Sequence, residues 1–287
     1  MDFTVRKLSP VLGAEVIGLD LSQPLPEADF LRVRRAFEEH SVLVFRDQER
    51  LAPADHVGFS QRFGPLEIHV HERYLLRGHP EILIVSNVFE NGKPIGLGDA
   101  GRYWHSDLSY MAEPSLGSML HAKELPAEGG DTLFIGMHAA FEALDEPMRA
   151  KLAPLECEHS YLARNNKQGE ANPYRPQLDA SQAARVPPVR HPVVRVHPAT
   201  QRPALFISEG FTTRIFDLPE EESRELLAFL FRHMTEERFI YRHRWQPHDL
   251  VFWDNRATTH LATGCPPHCR RTLYRTTVRG DRPMAMH

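Results

Sequence analysis

Tyr103-Trp104-His105-Ser106-Asp107 sets an imidazole and a carboxylate two positions apart. In an extended strand such residues share a face, so His105 and Asp107 are expected to reach one ion together. Two imidazoles and one carboxylate on one face, with the other positions open, form the donor set used for non-haem Fe(II). The triplet alone is not specific. With 17 His and 38 acidic residues among 287, chance gives roughly two His-x-Asp/Glu triplets, and two occur, the other being His79-x-Glu81. Gly78 and Pro80 flank its His79, which predicts an exposed loop.

The missing imidazole is sought near the C-terminus. Asp249-Leu-Val-Phe-Trp253 reads as a buried strand running into a turn at Asp254-Asn255-Arg256, and His260 follows. Arg270, Arg271 and Arg275 come next. Arg271 and Arg275 are four apart on an apolar strand, so both are expected on one side, aimed at anions. The planar guanidinium pairs with a carboxylate bidentately, which lysine does not do. Surface salt bridging is the competing role. Cys265-Pro-Pro-His268-Cys269 invites a zinc reading, but structural zinc wants four ligands and the remaining cysteine is the distant Cys157. Incidental thiols on a loop are the favoured reading there. Tyr110 and Phe206 are candidates for a pocket wall, with apolar packing as the alternative. His191, His197, His243 and His248 have no evident partner and are read as structural or exposed.

These residues need a strand-rich frame. Short apolar runs bounded by Pro, Gly, Asn or Asp predict strands at Ser41–Phe45, Ile82–Asn87, Ser118–Ala122, Thr132–Ile135, Val193–His197, Ala204–Ser208, Leu250–Trp253 and Thr272–Val278. Helices are predicted at Pro26–Glu39, Pro53–Phe63, Met137–Leu144 and Pro219–Met234. The last starts on Pro, fills its first turn with Glu220, Glu221 and Glu222, and lines one face with Leu226, Leu227, Leu230, Phe231 and Met234. Many short strands with a few helices imply a sandwich or barrel covered by helices. Residues 1–287 show no repeat or linker, so one domain is expected. The net charge of -4 gives no basic field for nucleic acid. No apolar run suits a membrane span or a secretory leader, and three cysteines make no disulfide framework. A cytoplasmic setting is expected.

Several segments together resemble the taurine/2,4-dichlorophenoxyacetate dioxygenase family of Fe(II)/2-oxoglutarate enzymes. They are Leu12-Gly-Ala-Glu-Val-Ile-Gly-Leu-Asp-Leu21, Val42-Leu-Val-Phe-Arg-Asp-Gln48, Phe63-Gly64, Trp104-His-Ser-Asp107, Glu128-Gly-Gly-Asp-Thr132, His191-Pro-Val-Val-Arg-Val-His-Pro198, Glu209-Gly-Phe-Thr-Thr-Arg214, Tyr241-Arg-His-Arg-Trp245 and Trp253-Asp-Asn-Arg256. The resemblance implies a β-rich α+β fold, a double-stranded β-helix (jelly-roll) core with flanking helices. It implies His105, Asp107 and His260 as catalytic Fe(II) ligands, and Arg271 with Thr132 as the 2-oxoglutarate clamp. Arg275, His69 or the competing His71, and Tyr110 would meet the substrate. The implied reaction consumes O₂ and 2-oxoglutarate, releases succinate and CO₂, and hydroxylates a small anionic substrate such as a sulfonate, sulfate ester or similar acid. A phenoxy acid or a natural-product intermediate is the alternative, and a zinc hydrolase with the same three ligands a remote one. Self-association is common in the family and is expected here. Ala100-Gly101 replaces an Asp-Asn pair that touches the amine in the taurine branch, which argues against taurine itself.

Overall fold

The computed structural model describes residues 2–98, 101–163 and 183–286. In chain order the strands are β1 (Thr4–Lys7), β2 (Ala14–Ile17), β3 (Val42–Phe45), β4 (Leu75–Leu76), β5 (His79–Ser86), β6 (Phe89–Glu90), β7 (Lys93–Pro94), β8 (Ser115–Glu124), β9 (Thr132–Gly136) and β10 (Glu156–His159). They continue with β11 (Val189–Pro192), β12 (Val194–Val196), β13 (Pro203–Leu205), β14 (Thr212–Ile215), β15 (Ile240–His243), β16 (Leu250–Asp254), β17 (Thr258–Ala262), β18 (Thr272–Arg279) and β19 (Met284–Ala285). The helices are α1 (Glu27–His40), α2 (Pro53–Gln61), α3 (Met137–Glu142), α4 (Glu146–Leu152) and α5 (Glu220–Met234).

The largest sheet has eight strands in the order β1-β2-β3-β16-β8-β18-β5-β4. Its central strands are apolar on both faces because both are covered. Leu43, Phe45, Leu250 and Phe252 point outward into a cluster with Phe37 of α1 and Phe59 of α2. Phe37 stacks on Phe252 at 3.8 Å between ring centroids. Burying each such ring contributes roughly 1.5–3 kcal/mol. The alternate residues Val42, Val44, Val251 and Trp253 point inward and meet Phe134 and Tyr241. Those two belong to a second sheet, β15-β9-β17.

The inner faces of these two sheets form the walls of the candidate site. Helix α1 reaches β3 without a loop because Ser41 takes a left-handed conformation (φ 59°) and its N–H caps Phe37 O. The apolar face of α5 (Leu226, Leu227, Leu230, Met234) packs with α3 against Ile135, Leu205 and Ile215 in a third cluster.

Each predicted strand and helix is present within a few residues, except that His79-x-Glu81 begins β5 instead of lying on a loop. The strands missing from the sequence reading, among them β1, β10, β14, β15 and β17, are mostly short and mix polar with apolar residues. No helix among the described residues is long and apolar enough to cross a membrane.

Candidate functional site

Backbone pairing brings His105 to His260. His105 N donates to His260 O at 3.0 Å and His260 N to His105 O at 2.8 Å. This is a single antiparallel bridge between the 101–110 loop and β17. The expected strand alternation is therefore not what aligns Asp107, which lies on the turn after the bridge. Side chains aim it instead. The Asp107 N–H donates to Asn255 Oδ1 at 3.1 Å. Oδ2 accepts from Ser118 Oγ at 2.7 Å, and Oδ1 accepts from Arg275 Nη1 at 3.3 Å. Asn255 is itself fixed, accepting from Trp253 Nε1 and donating to Ser115 Oγ, each at 3.1 Å.

The result is convergence. His105 Nε2 lies 3.6 Å from Asp107 Oδ1, and His260 Nε2 lies 3.9 Å from Asp107 Oδ2. One donor atom from each residue falls within 4.8 Å of the others, and all three residues are buried. Metal–ligand bonds of roughly 2.0–2.2 Å bridge such gaps. His105 Nδ1 is 2.8 Å from the Tyr103 carbonyl, which keeps its proton there and leaves the Nε2 lone pair facing Asp107. Burial alone would raise the Asp107 carboxyl, but Arg275, His260 and His105 outweigh it and hold the group well below the usual carboxylate range. Burial, then the charge of His105, pushes His260 well below an ordinary imidazole. A carboxylate beside a neutral imidazole is the protonation pattern a divalent cation requires, so these residues fit an Fe(II) ion.

The anion-binding candidates divide by position. Arg275 pairs with Leu120 of β8, and Ser118 pairs with Thr277, so Arg275 and Ser118 share the inner face with Trp253. Arg271 lies one residue before β18 and lines a cleft with Asn87, Arg102, Ala262 and Cys265. Its guanidinium forms no hydrogen bond or ion pair with the described residues, and its buried Nε is unpartnered. Burial lowers its pKa to about 10, so it stays charged at neutral pH. Gly130 explains part of the Glu128-Gly-Gly-Asp-Thr132 motif: its φ is +77°, and a Cβ there would stand 3.2 Å from Arg271 Nε. Thr132 faces the same side as His260, since β9 pairs Thr132 with Ala262 and Phe134 with His260. Its Oγ1 accepts from Trp245 Nε1 at 3.1 Å.

His69 has Arg275, His71 and Asp107 as its charged neighbours, and burial, then Arg275, lowers its pKa to about 3. The structure thus sets His69 within reach of the charges of Arg275 and Asp107, and His71, half-buried like it, lies beside it. The two rings are 5.1 Å apart. Tyr110 packs tilted against Tyr161 (4.7 Å) and edge-on against Phe211 (4.9 Å), and Phe211 stands 6.2 Å from His105. Burial first, then Tyr161 and Tyr103, keeps the Tyr110 phenol protonated. Phe206 is core, stacked on His159. Ala100 lies outside the described residues, while a Cβ on Gly101 (φ +73°) would stand 3.1 Å from His105 Cε1.

The sequence reading missed Ser118, for which no sequence signal existed, and Phe211, which lies in the Glu209-Gly-Phe-Thr-Thr-Arg214 segment but was given no role. Of the four histidines it left without partners, three have one in the structure. His197 bonds Asp254 at 3.0 Å, His243 bonds Asp249 at 3.1 Å, and His191 donates to Met111 O at 2.9 Å. Asp254 is no simple turn residue: it ends β16 fully buried, gripped by Arg256 through Nε and Nη2.

A model of the taurine catabolism dioxygenase TauD, TfdA family matches residues 4–277. The chain belongs to the TauD/TfdA family. It is 36% identical to the alpha-ketoglutarate-dependent 2,4-dichlorophenoxyacetate dioxygenase of Cupriavidus pinatubonensis, covering 98% of this chain and 99% of that protein. Pentalenolactone F synthase of Streptomyces arenae is 34% identical over 95% of this chain and 93% of its own. Among solved structures, AAD-2 in complex with Mn(II) and N-oxalylglycine superposes with a TM-score of 0.84 at 31% identity, covering 99% of this chain and all of that one. A β-rich α+β fold, a 2-oxoglutarate-dependent dioxygenase class and the cofactors Fe(II), 2-oxoglutarate and O₂ come with membership of the TauD/TfdA family.

Proposed function

We propose that this TauD/TfdA protein hydroxylates a small organic anion with an apolar or aromatic body, using His105, Asp107 and His260 as the three protein ligands of Fe(II). The observation that supports this most is the convergence of those three donors within 4.8 Å. When bound, the ferrous ion supplies activation of O₂ coupled to oxidative decarboxylation of 2-oxoglutarate. One oxygen atom then ends in succinate and the other in the new C–OH, with CO₂ released.

The chain's own residues position, neutralise and exclude water. Arg271 receives the far carboxylate of 2-oxoglutarate, with the Thr132 hydroxyl beside it. Arg275 has a buried, unpartnered Nε, which suits a substrate anion that competes with Asp107 for the same guanidinium. Neutral His69 accepts the His71 N–H at Nδ1, so its Nε2–H is the donor it offers to that anion. Tyr110, with Phe211 and Tyr161 packed against it, forms an aromatic wall near His105. That wall favours an aryl or otherwise apolar acid over a compact amine-bearing sulfonate, consistent with Gly101 beside His105.

Residues 1–287 form one domain in this reading. The eight-stranded sheet facing β15-β9-β17 supports a double-stranded β-helix core. Work in the cytoplasm and self-association complete the proposal. The test is anaerobic absorption spectroscopy. Fe(II) and 2-oxoglutarate added together to the purified protein should give a weak visible band that neither gives alone. No band, with both reagents bound, would reject the reading in favour of a redox-silent hydrolase.

A further inference from the structure

A second group of metal-ligating side chains stands outside the triad. Glu128, His268 and Cys269 bring a carboxylate oxygen, an imidazole nitrogen and a thiol sulfur within 4.8 Å of one another. None of the three side chains has a hydrogen-bond or ion-pair partner among the described residues. Glu128 and His268 are exposed and Cys269 is partly buried. They come from two loops already tied together: Gly130 N donates to Gly264 O at 2.6 Å, and Thr263 N donates to Asp131 O at 2.9 Å. A close approach at Gly129 (φ +71°), where a Cβ would meet Gly264 O at 2.7 Å, keeps the loops in register.

We propose that Glu128, His268 and Cys269 form a second divalent-cation site of Zn²⁺-like chemistry. The donor types decide the metal. Thiolate with imidazole selects a borderline-soft ion, whereas Mg²⁺ and Ca²⁺ want oxygen alone. Three protein ligands leave the fourth tetrahedral position to water. On binding, the Cys269 S–H bond breaks, the sulfur bonds the metal, and the proton leaves to solvent. The triad carries no sulfur, so the two sites sort metals differently.

The site adjoins the cleft that holds Arg271. The Cys269 carbonyl accepts from Asn87 Nδ2 at 2.7 Å, and Asn87 Oδ1 accepts the Arg271 N–H at 2.9 Å. An occupied site therefore clamps both loops next to that cleft.

Anaerobic titration of the full-length protein with Co(II) alone tests this, because a thiolate–cobalt bond gives a charge-transfer absorption that an oxygen and nitrogen site lacks. The proposal expects two Co(II) per chain in the wild type, one carrying that absorption. His105→Ala should keep the thiolate band and lose the other equivalent. Cys269→Ser should abolish the band. His268→Ala and Glu128→Gln, both on exposed side chains, should weaken the sulfur site by at least the roughly 10–100-fold that loss of an outer-shell partner costs. No thiolate band in the wild type, or a band that survives Cys269→Ser, overturns the proposal. So does a band lost on Cys265→Ser alone.

Discussion

Arg271→Met is the most informative perturbation of the proposed 2-oxoglutarate clamp. Arg271 is desolvated, charged, and without an ion-pair partner among the described residues. A structural arginine in that position would be a poor investment of burial, since an unpaired buried charge is costly. A bidentate pair with a cosubstrate carboxylate makes two charge-assisted hydrogen bonds of roughly 1.5–3 kcal/mol each. Losing about 3 kcal/mol corresponds to roughly a 150-fold rise in KM for 2-oxoglutarate, at 1.4 kcal/mol per tenfold. Methionine fills a similar volume and removes the cation, so the folded protein loses nothing it was using. The melting temperature without cosubstrate should hold or rise. The assay is succinate formation against 2-oxoglutarate concentration, beside a thermal melt. An unchanged KM refutes the reasoning, and so does a melt lowered by many degrees, which would make Arg271 a structural residue.

Ser118→Ala removes the 2.7 Å bond to Asp107 Oδ2 and should weaken Mn(II) binding about 10–100-fold; calorimetric titration with an unchanged Kd would contradict this. Asp254→Asn leaves the buried Arg256 guanidinium and His197 without their carboxylate, a loss of about 3–5 kcal/mol. That lowers the melting temperature by roughly 5–15 °C, and a shift under a few degrees would count against it. Acid should destabilise the fold well above the carboxylate range. Burial is the leading cause that lowers His56 and His159 to about 3, and His121, His138 and His191 to about 4. Between those values and about 6.5 the unfolded chain binds protons that the native chain does not, so stability is full above 6.5 and falls as pH drops. Urea midpoints that stay level from pH 7 to pH 5 would show that these rings are already protonated in the fold.

Much of the frame was legible because its strands are apolar on both faces. Val42-Leu-Val-Phe45 and Leu250-Val-Phe-Trp253 read as buried whichever way they alternate, and both are central in the large sheet. The strand β17 was not legible, since Thr258-Thr-His-Leu-Ala262 carries few apolar residues and owes its form to pairing with β9. The proposed ligand pair 105 and 107 was singled out for a reason that differs from the geometry: a bridge, a turn and three side-chain bonds aim Asp107, not strand alternation. Ser118 could not have been found, because a serine on a strand carries no mark of the carboxylate it faces. Arg271 and Arg275 were legible as a pair, yet their different surroundings, an unpartnered cleft and a bond to Asp107, follow from tertiary packing alone.

The most direct test of the central claim is a crystal structure of this chain grown with Mn(II) and N-oxalylglycine, the pair present in the AAD-2 structure. An anomalous difference peak should appear roughly 2.0–2.3 Å from His105 Nε2, His260 Nε2 and one Asp107 oxygen. The free carboxylate of N-oxalylglycine should lie in hydrogen-bond contact with Arg271. A peak that leaves any one of the three side chains outside bonding distance would contradict the account.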